Sequence, residues 1–185
     1  MTIIFQQSLL DTLAPKNRGV MRIEEKSGGG VGKGGITCLL FSVGQEGFAI
    51  RIEMLQEIVN PVGMKPIPSP EFTFCRELDF RGKRIPVLNL SDFFQYSAIP
   101  EGSKSVLVLR LEEESIGLLV DEVRGVWNID EHDLRPFPPM ATSLDPRHIR
   151  GIFKVEEKPI FCLNENMLFR LAEIRSFFTG VEDHP

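Results

Sequence analysis

The chain has 185 residues, 42 % of them hydrophobic, with 26 acidic against 21 basic side chains, a net charge of −5 and a pI near 5.3. That balance supports a packed core and argues against a nucleic-acid binder, which needs excess Lys and Arg on one face. No apolar run nears the roughly 20 residues of a membrane span, the N-terminus lacks signal-peptide character, and Cys38, Cys75 and Cys162 are too far apart for a disulfide framework, so a cytoplasmic protein without membrane insertion is expected.

Residues 1–35 read as an N-terminal extension. Ile3, Ile4, Phe5, Leu9, Leu10 and Leu13 allow one short helix, and Ser27–Gly35 is so rich in glycine that it reads as a flexible linker. From Ile36 the pattern becomes that of short strands. Leu39, Phe41 and Val43 alternate along a strand with one buried face, and Gly44–Gly47 is a hairpin turn before Phe48, Ile50 and Ile52. A short helical turn is expected over Glu53–Ile58, then a crossing punctuated by Pro61, Pro66, Pro68 and Pro70. A strand at 74–80 leads into the turn Arg81-Gly82-Lys83, with Gly82 supplying a positive φ. Ile85, Val87 and Leu90 return, Pro86 implies an edge position or a bulge, and Ser91 is a candidate N-cap.

A second unit starts at Ser105. Val106–Leu111 and Ile116–Val123 form a hairpin around Glu112-Glu113-Glu114, residues 135–146 repeat the proline-rich crossing, and strands follow at 148–155 and 159–163. Asn164 caps a helix carrying Met167, Leu171, Ile174 and Phe178, which Thr179-Gly180 ends. The two units are near copies. At a spacing of 68 positions Leu39 falls on Leu107, Phe41 on Leu109, Val43 on Leu111, Phe48 on Ile116, Ile50 on Leu118, Ile52 on Val120, Leu55 on Val123 and Ile58 on Val126. With one more residue Arg81-Gly82 falls on Arg150-Gly151. Such a repeat of short strands predicts two small β-barrels or a sandwich, divided at about 36–100 and 101–165 with a helix at 165–178.

Catalytic chemistry is not visible. The glycine run Gly28–Gly32 is too short for a phosphate loop, and Lys33 precedes Gly34 rather than Ser or Thr. His132, His148 and His184 share no metal spacing, and no Gly-x-Ser-x-Gly occurs. Asp121-Glu122 reads as the polar end of a buried strand, with Asp121 bonding turn backbone. Arg81 reads either as part of a solubilising basic turn with Lys83 and Arg84 or as a docking arginine whose planar donor fork anchors a partner.

The order and spacing of several stretches resemble the CheW-like family, adaptor domains of bacterial chemotaxis arrays. They are Phe41-Ser42-Val43-Gly44, Phe48-Ala49-Ile50, Gln56-Glu57-Ile58, Arg81-Gly82, Pro86-Val87-Leu88, Gly117–Val123 and Arg150-Gly151, within residues 37–169. The resemblance implies an all-β fold of two interlocked five-stranded, SH3-like barrels and a non-enzymatic role without cofactor, bridging methyl-accepting receptors to a histidine kinase whose regulatory domain shares the fold. It further implies that the receptor tip docks in the groove between barrels at Arg81 and Gly82, with Leu55 and Glu57 from the short helical turn and Val106 from a neighbouring strand, while barrel-end apolar residues meet the kinase. The chain differs from the family pattern at Arg76 and Glu77, where small and apolar residues are usual, and at Asn89 and Asn164, where the family has Asp. Two other classes fit a small β scaffold: an enzyme, which needs convergent polar groups with perturbed pKa values in a pocket, and a single-strand-binding barrel, which needs exposed aromatics in a basic groove.

Overall fold

The computed structural model describes residues 26–27, 35–68, 70, 72–96, 104–137 and 144–180. The helix expected among residues 3–13 and the glycine run at 28–34 lie outside these residues. Strand β1 is Lys26–Ser27, β2 Gly35–Val43, β3 Glu46–Arg51, β4 Leu55–Val59, β5 Lys65–Pro66, β6 Cys75–Phe80 and β7 Lys83–Asn89. Helix α1, Leu90–Phe93, precedes β8 Ser105–Leu111, β9 Glu114–Val120, β10 Glu122–Asp130, β11 Ile149–Val155 and β12 Lys158–Leu163. Helices α2, Glu165–Phe169, and α3, Ala172–Gly180, follow.

The strands form two sheets, in the orders β1-β10-β2-β3-β12-β11 and β4-β8-β9-β7-β6-β5. Without the two-residue strands β1 and β5, each is five-stranded, as expected. The interlock lies in the hairpins. The β2–β3 hairpin of the first copy pairs with β10 and β12 of the second, and the β8–β9 hairpin of the second pairs with β4 and β7 of the first. A cut near residue 100 therefore separates the sequence copies, while each sheet takes strands from both. Both sheets curl the same way. Beyond β4 the chain reaches β6 through β5, and beyond β10 it reaches β11 through Arg135, which exchanges two 2.8 Å backbone bonds with Ile152.

Alternation along the strands fills three apolar clusters. Cys38, Leu40, Ala49, Ile129, Phe153, Ile160 and Cys162 fill one barrel. Leu78, Phe80, Ile85, Val87, Val106, Val108 and Leu119 fill the other. The largest lies between barrels and under the helices, and includes Leu39, Phe41, Val43, Phe48, Ile50, Leu107, Leu109, Ile116, Leu118, Leu168 and Ile174. Strand β2 is thus buried on both faces, not one: Leu40 enters the barrel while Leu39 and Phe41 enter the interface.

Several local expectations are corrected. The helical turn ends at Met54, and Leu55 through Val59 form β4, because Ile58 and Val59 are β-branched and the segment pairs with β8. The strand expected over 116–123 breaks at Asp121, whose Oδ2 accepts the Gly44 N–H at 2.7 Å and whose own N–H donates to Ser42 O. Asp121 thus bonds turn backbone, but that of the other copy's hairpin. Helix α1 is capped by Asn89, which accepts the Ser91 N–H, and not by Ser91. Pro86 lies in an interior strand. It stands opposite Glu77 of β6 but precedes the ladder to β9, which starts at Val87. The C-terminal helix is two, broken at Arg170–Leu171, and the Asn164 side chain makes no cap bond but donates to Arg147 O at 3.4 Å.

The motif alignment also changes. Arg81-Gly82 is the turn of the β6–β7 hairpin, so its topological equivalent is Glu156-Glu157, the turn of β11–β12, and both residues of each turn have positive φ. Arg150-Gly151 lies inside β11, at a register shift. Gly151 is needed there for another reason: a Cβ on it would stand 2.7 Å from Arg135 O and 2.8 Å from Leu134 Cγ. Backbone cannot yield as a flexible side chain does, so Gly151→Ala is expected to cost about 1–3 kcal/mol by overpacking. For a chain this size that lowers the melting temperature by roughly 3–10 °C. A thermal melt unchanged within about 1 °C would show that the Arg135 bridge is not what closes this barrel.

Candidate docking site

The β6–β7 tip is a two-residue turn with φ of 55° at Arg81 and 77° at Gly82, the pairing that matches the twist of a hairpin. Glycine takes this conformation without steric cost, and Asp79 Oδ1 accepts the Gly82 N–H at 3.0 Å. The turn aims the Arg81 side chain across the barrel. Its Nη2 donates to Glu57 Oε2 at 2.6 Å, and its guanidinium carbon lies 5.2 Å from the centroid of the Phe80 ring. Glu57 is on β4 and Arg81 at the end of β6, so the ion pair links strands at opposite edges of one sheet.

The pair is unequal in exposure. The Arg81 side chain is 68 % exposed and Glu57 23 %. Glu57 and Phe80 therefore fix a guanidinium that still offers most of its five N–H donors to solvent. The structure brings Arg81, Gly82 and Glu57 together. Leu55 and Val106 are not. Leu55 is 5 % exposed and packs into the inter-barrel cluster, while Val106 is fully buried beside Phe80 inside the barrel. As placed, they support the site from beneath and present no side chain to a partner.

Sequence reasoning missed two participants, Phe80 and Asp79. Phe80 forms the floor under the guanidinium, and Asp79 ties the turn. Val62, 79 % exposed, is the one large apolar side chain exposed among the described residues, and it lies in the turn from β4 to β5, whose Met64 packs against the Phe80 cluster. The proline-rich punctuation of this segment hid it as an ordinary loop. Arg76 and Glu77 lie on the same hairpin: Arg76 is exposed opposite Val87 and Pro66, and Glu77 accepts from Arg84 at 3.4 Å.

Asp121 and the thiols of Cys38 and Cys75 are held by structural contacts. Asp121 holds Gly44 and faces Lys104 at 3.7 Å. Burial pushes the Cys75 thiol well above its ordinary range, and a hydrogen bond to Cys162 does the same for Cys38. Among the described residues no three metal-ligating side chains converge, no helix is long and apolar enough to cross a membrane, and no aromatic ring is exposed as single-strand binding would need.

Comparison with known proteins agrees with this geometry. The CheW-like domain family matches residues 37–173. A chemotaxis protein CheW of Rhizobium meliloti (strain 1021) is 26 % identical over 133 residues, covering 71 % of this chain and 85 % of that protein. One of Thermotoga maritima is 28 % identical over 96 residues, covering 52 % and 64 %. The crystal structure of the scaffolding protein TtCheW from Thermoanaerobacter tengcongensis superposes with a TM-score of 0.68 at 28 % identity, over 80 % of this chain and 96 % of that one. The match spans both hairpin exchanges and the Arg81 turn, and the chain belongs to the CheW-like family.

Proposed function

We propose that the chain is a non-enzymatic, cytoplasmic coupling adaptor of a chemotaxis-type signalling array, binding a methyl-accepting receptor tip and the regulatory domain of a histidine kinase. The observation that carries this reading is the Arg81 guanidinium: fixed by Glu57 and Phe80 and largely exposed. A preorganised, exposed arginine is an anchor for a protein partner, since little side-chain entropy is lost on docking. The relatives that share the fold are chemotaxis and scaffolding proteins by name. The kinase contact falls to apolar barrel ends, and no cofactor, metal or nucleic acid enters the function.

The test is Arg81→Ala, titrated against a methyl-accepting receptor-tip fragment. Arg81 is exposed, so its ion pair with Glu57 contributes little to folding and stability stays within about 0.5 kcal/mol. As a binding anchor it contributes about 2 kcal/mol, so affinity falls some thirtyfold. Unchanged affinity with an unchanged melt would remove Arg81 from the docking surface, and a lowered melt with unchanged affinity would make it a structural clasp.

A further inference from the structure

The two barrels do not end their sheets alike. In one, the edge strand is β4, and its outer side carries no strand among the described residues. In the other, the equivalent strand is β10, and its outer edge is occupied by β1, which runs parallel to it with Lys26 opposite Trp127 and Ser27 opposite Asn128. The family match begins at residue 37, so β1 lies outside the matched region.

Edge geometry explains why one edge needs cover. Strand β4 is five residues long, starts with a register shift between Leu55 and Glu57, and is followed by Pro61 two residues on. Short, bulged, proline-terminated edges do not template pairing. Strand β10 spans nine residues. Its register shift lies between Val123 and Gly125, leaving Val126–Asp130 as an unbroken run without proline, and that is the run on which β1 lies. The connection is easily made. Ser27 lies level with Asn128 on one side of β10 and Gly35 level with Asp130 on the other. The gap is about two strand spacings, roughly 10 Å, and the residues between Ser27 and Gly35 reach about twice that.

We propose that β1 is an intramolecular guard strand: it pairs at Trp127 and Asn128, the middle of the Val126–Asp130 edge of β10, and withholds that edge from pairing with the same edge of a second copy of the chain. The second copy is the fitting occupant because an identical exposed edge on each molecule can pair with itself about a twofold axis. The N-terminal extension thereby sets whether the chain self-associates through this barrel, separately from the Arg81 site.

The experiment uses the full chain carrying Lys26→Pro and Ser27→Pro, which removes both β1 backbone donors, with Ser27→Pro alone as a milder variant. Sedimentation velocity and backbone hydrogen exchange are compared with the parent. The expected result is faster exchange, in dilute samples, at whichever of the Trp127 and Asn128 amides faces β1, self-association at least tenfold tighter than the parent's, and renewed protection of the 126–130 amides on that edge in the associated form. Unchanged exchange would overturn the proposal, because β1 would then not be guarding the edge. So would faster exchange without association, or association that leaves 126–130 unprotected.

Discussion

Phe48→Ala is expected to lower stability by about 4 kcal/mol, the middle of the range for emptying a buried aromatic site. Phe48 is fully buried, and its ring lies 6.0 Å from Phe41, 5.3 Å from Phe94, 5.6 Å from Phe161 and 6.4 Å from Tyr96, centroid to centroid. These partners come from β2, from the end of α1 and the residues just after it, and from β12. No single neighbour can move in to fill the gap without leaving another, so the cavity stays open. The melting temperature should fall by about 8–16 °C, and the denaturant midpoint with it at constant slope. Phe48→Leu, which keeps most of the volume, should lose less than half as much. A loss below about 1 kcal/mol for the alanine variant would mean the ring cluster is not a cooperative part of the core.

Phe48 is also one of the residues by which the fold could be read. Its partner in the repeat is Ile116, and both belong to the inter-barrel cluster. The same holds for Leu39 with Leu107, Phe41 with Leu109, Ile50 with Leu118, and Ile52 with Val120. The repeat was legible because the interface between barrels is a two-copy surface that both copies must fill. The barrel interiors follow a different pattern. Ala49 and Gly117 occupy equivalent places, and a Cβ on Gly117 would meet Val106 Cγ1 at 2.7 Å and Val87 Cγ2 at 2.8 Å. Small residues there carry no hydrophobic signal, so the second buried face of β3 and β9 was not legible. The exchange of hairpins was legible only through the family resemblance, since pairing of β3 with β12 and of β7 with β9 is a long-range choice that no local propensity records.

At the docking site the division is similar. Arg81 and Gly82 could be singled out because a turn with positive φ and a basic fork have a sequence signature. The partners of Arg81 have none. Glu57 is 24 positions away and meets Arg81 only because the sheet curls. Leu55 was assigned to a helical turn that stops one residue before it. Its burial follows from the strand it actually joins.

Glu165→Ala is expected to cost about 3 kcal/mol, and its cause is a backbone group. Glu165 is 1 % exposed at the start of α2, and its Oε1 accepts the Arg51 N–H at 2.8 Å while Oε2 lies 3.4 Å from Arg51 Nε. Arg51, at the end of β3, is 19 % exposed and also pairs with Glu53 at 2.8 Å. Truncating the carboxylate orphans a part-buried N–H and leaves the guanidinium with only its exposed partner, and breaking a buried pair in this way costs more than never having formed it. Glu165→Gln separates the two contributions. It keeps an acceptor for the Arg51 N–H and loses only the charge, so it should cost about 1–1.5 kcal/mol. Because the pair is shielded from solvent, raising salt to about 0.5 M should leave the difference between the two variants nearly unchanged. Helix α3 makes the corresponding bond to the other barrel, where Glu173 Oε2 accepts the Phe74 N–H at 3.2 Å. The C-terminal helices are thus fastened by one carboxylate to each sheet. Equal losses for the alanine and glutamine variants would mean that charge, and not the backbone bond, fastens α2 to β3.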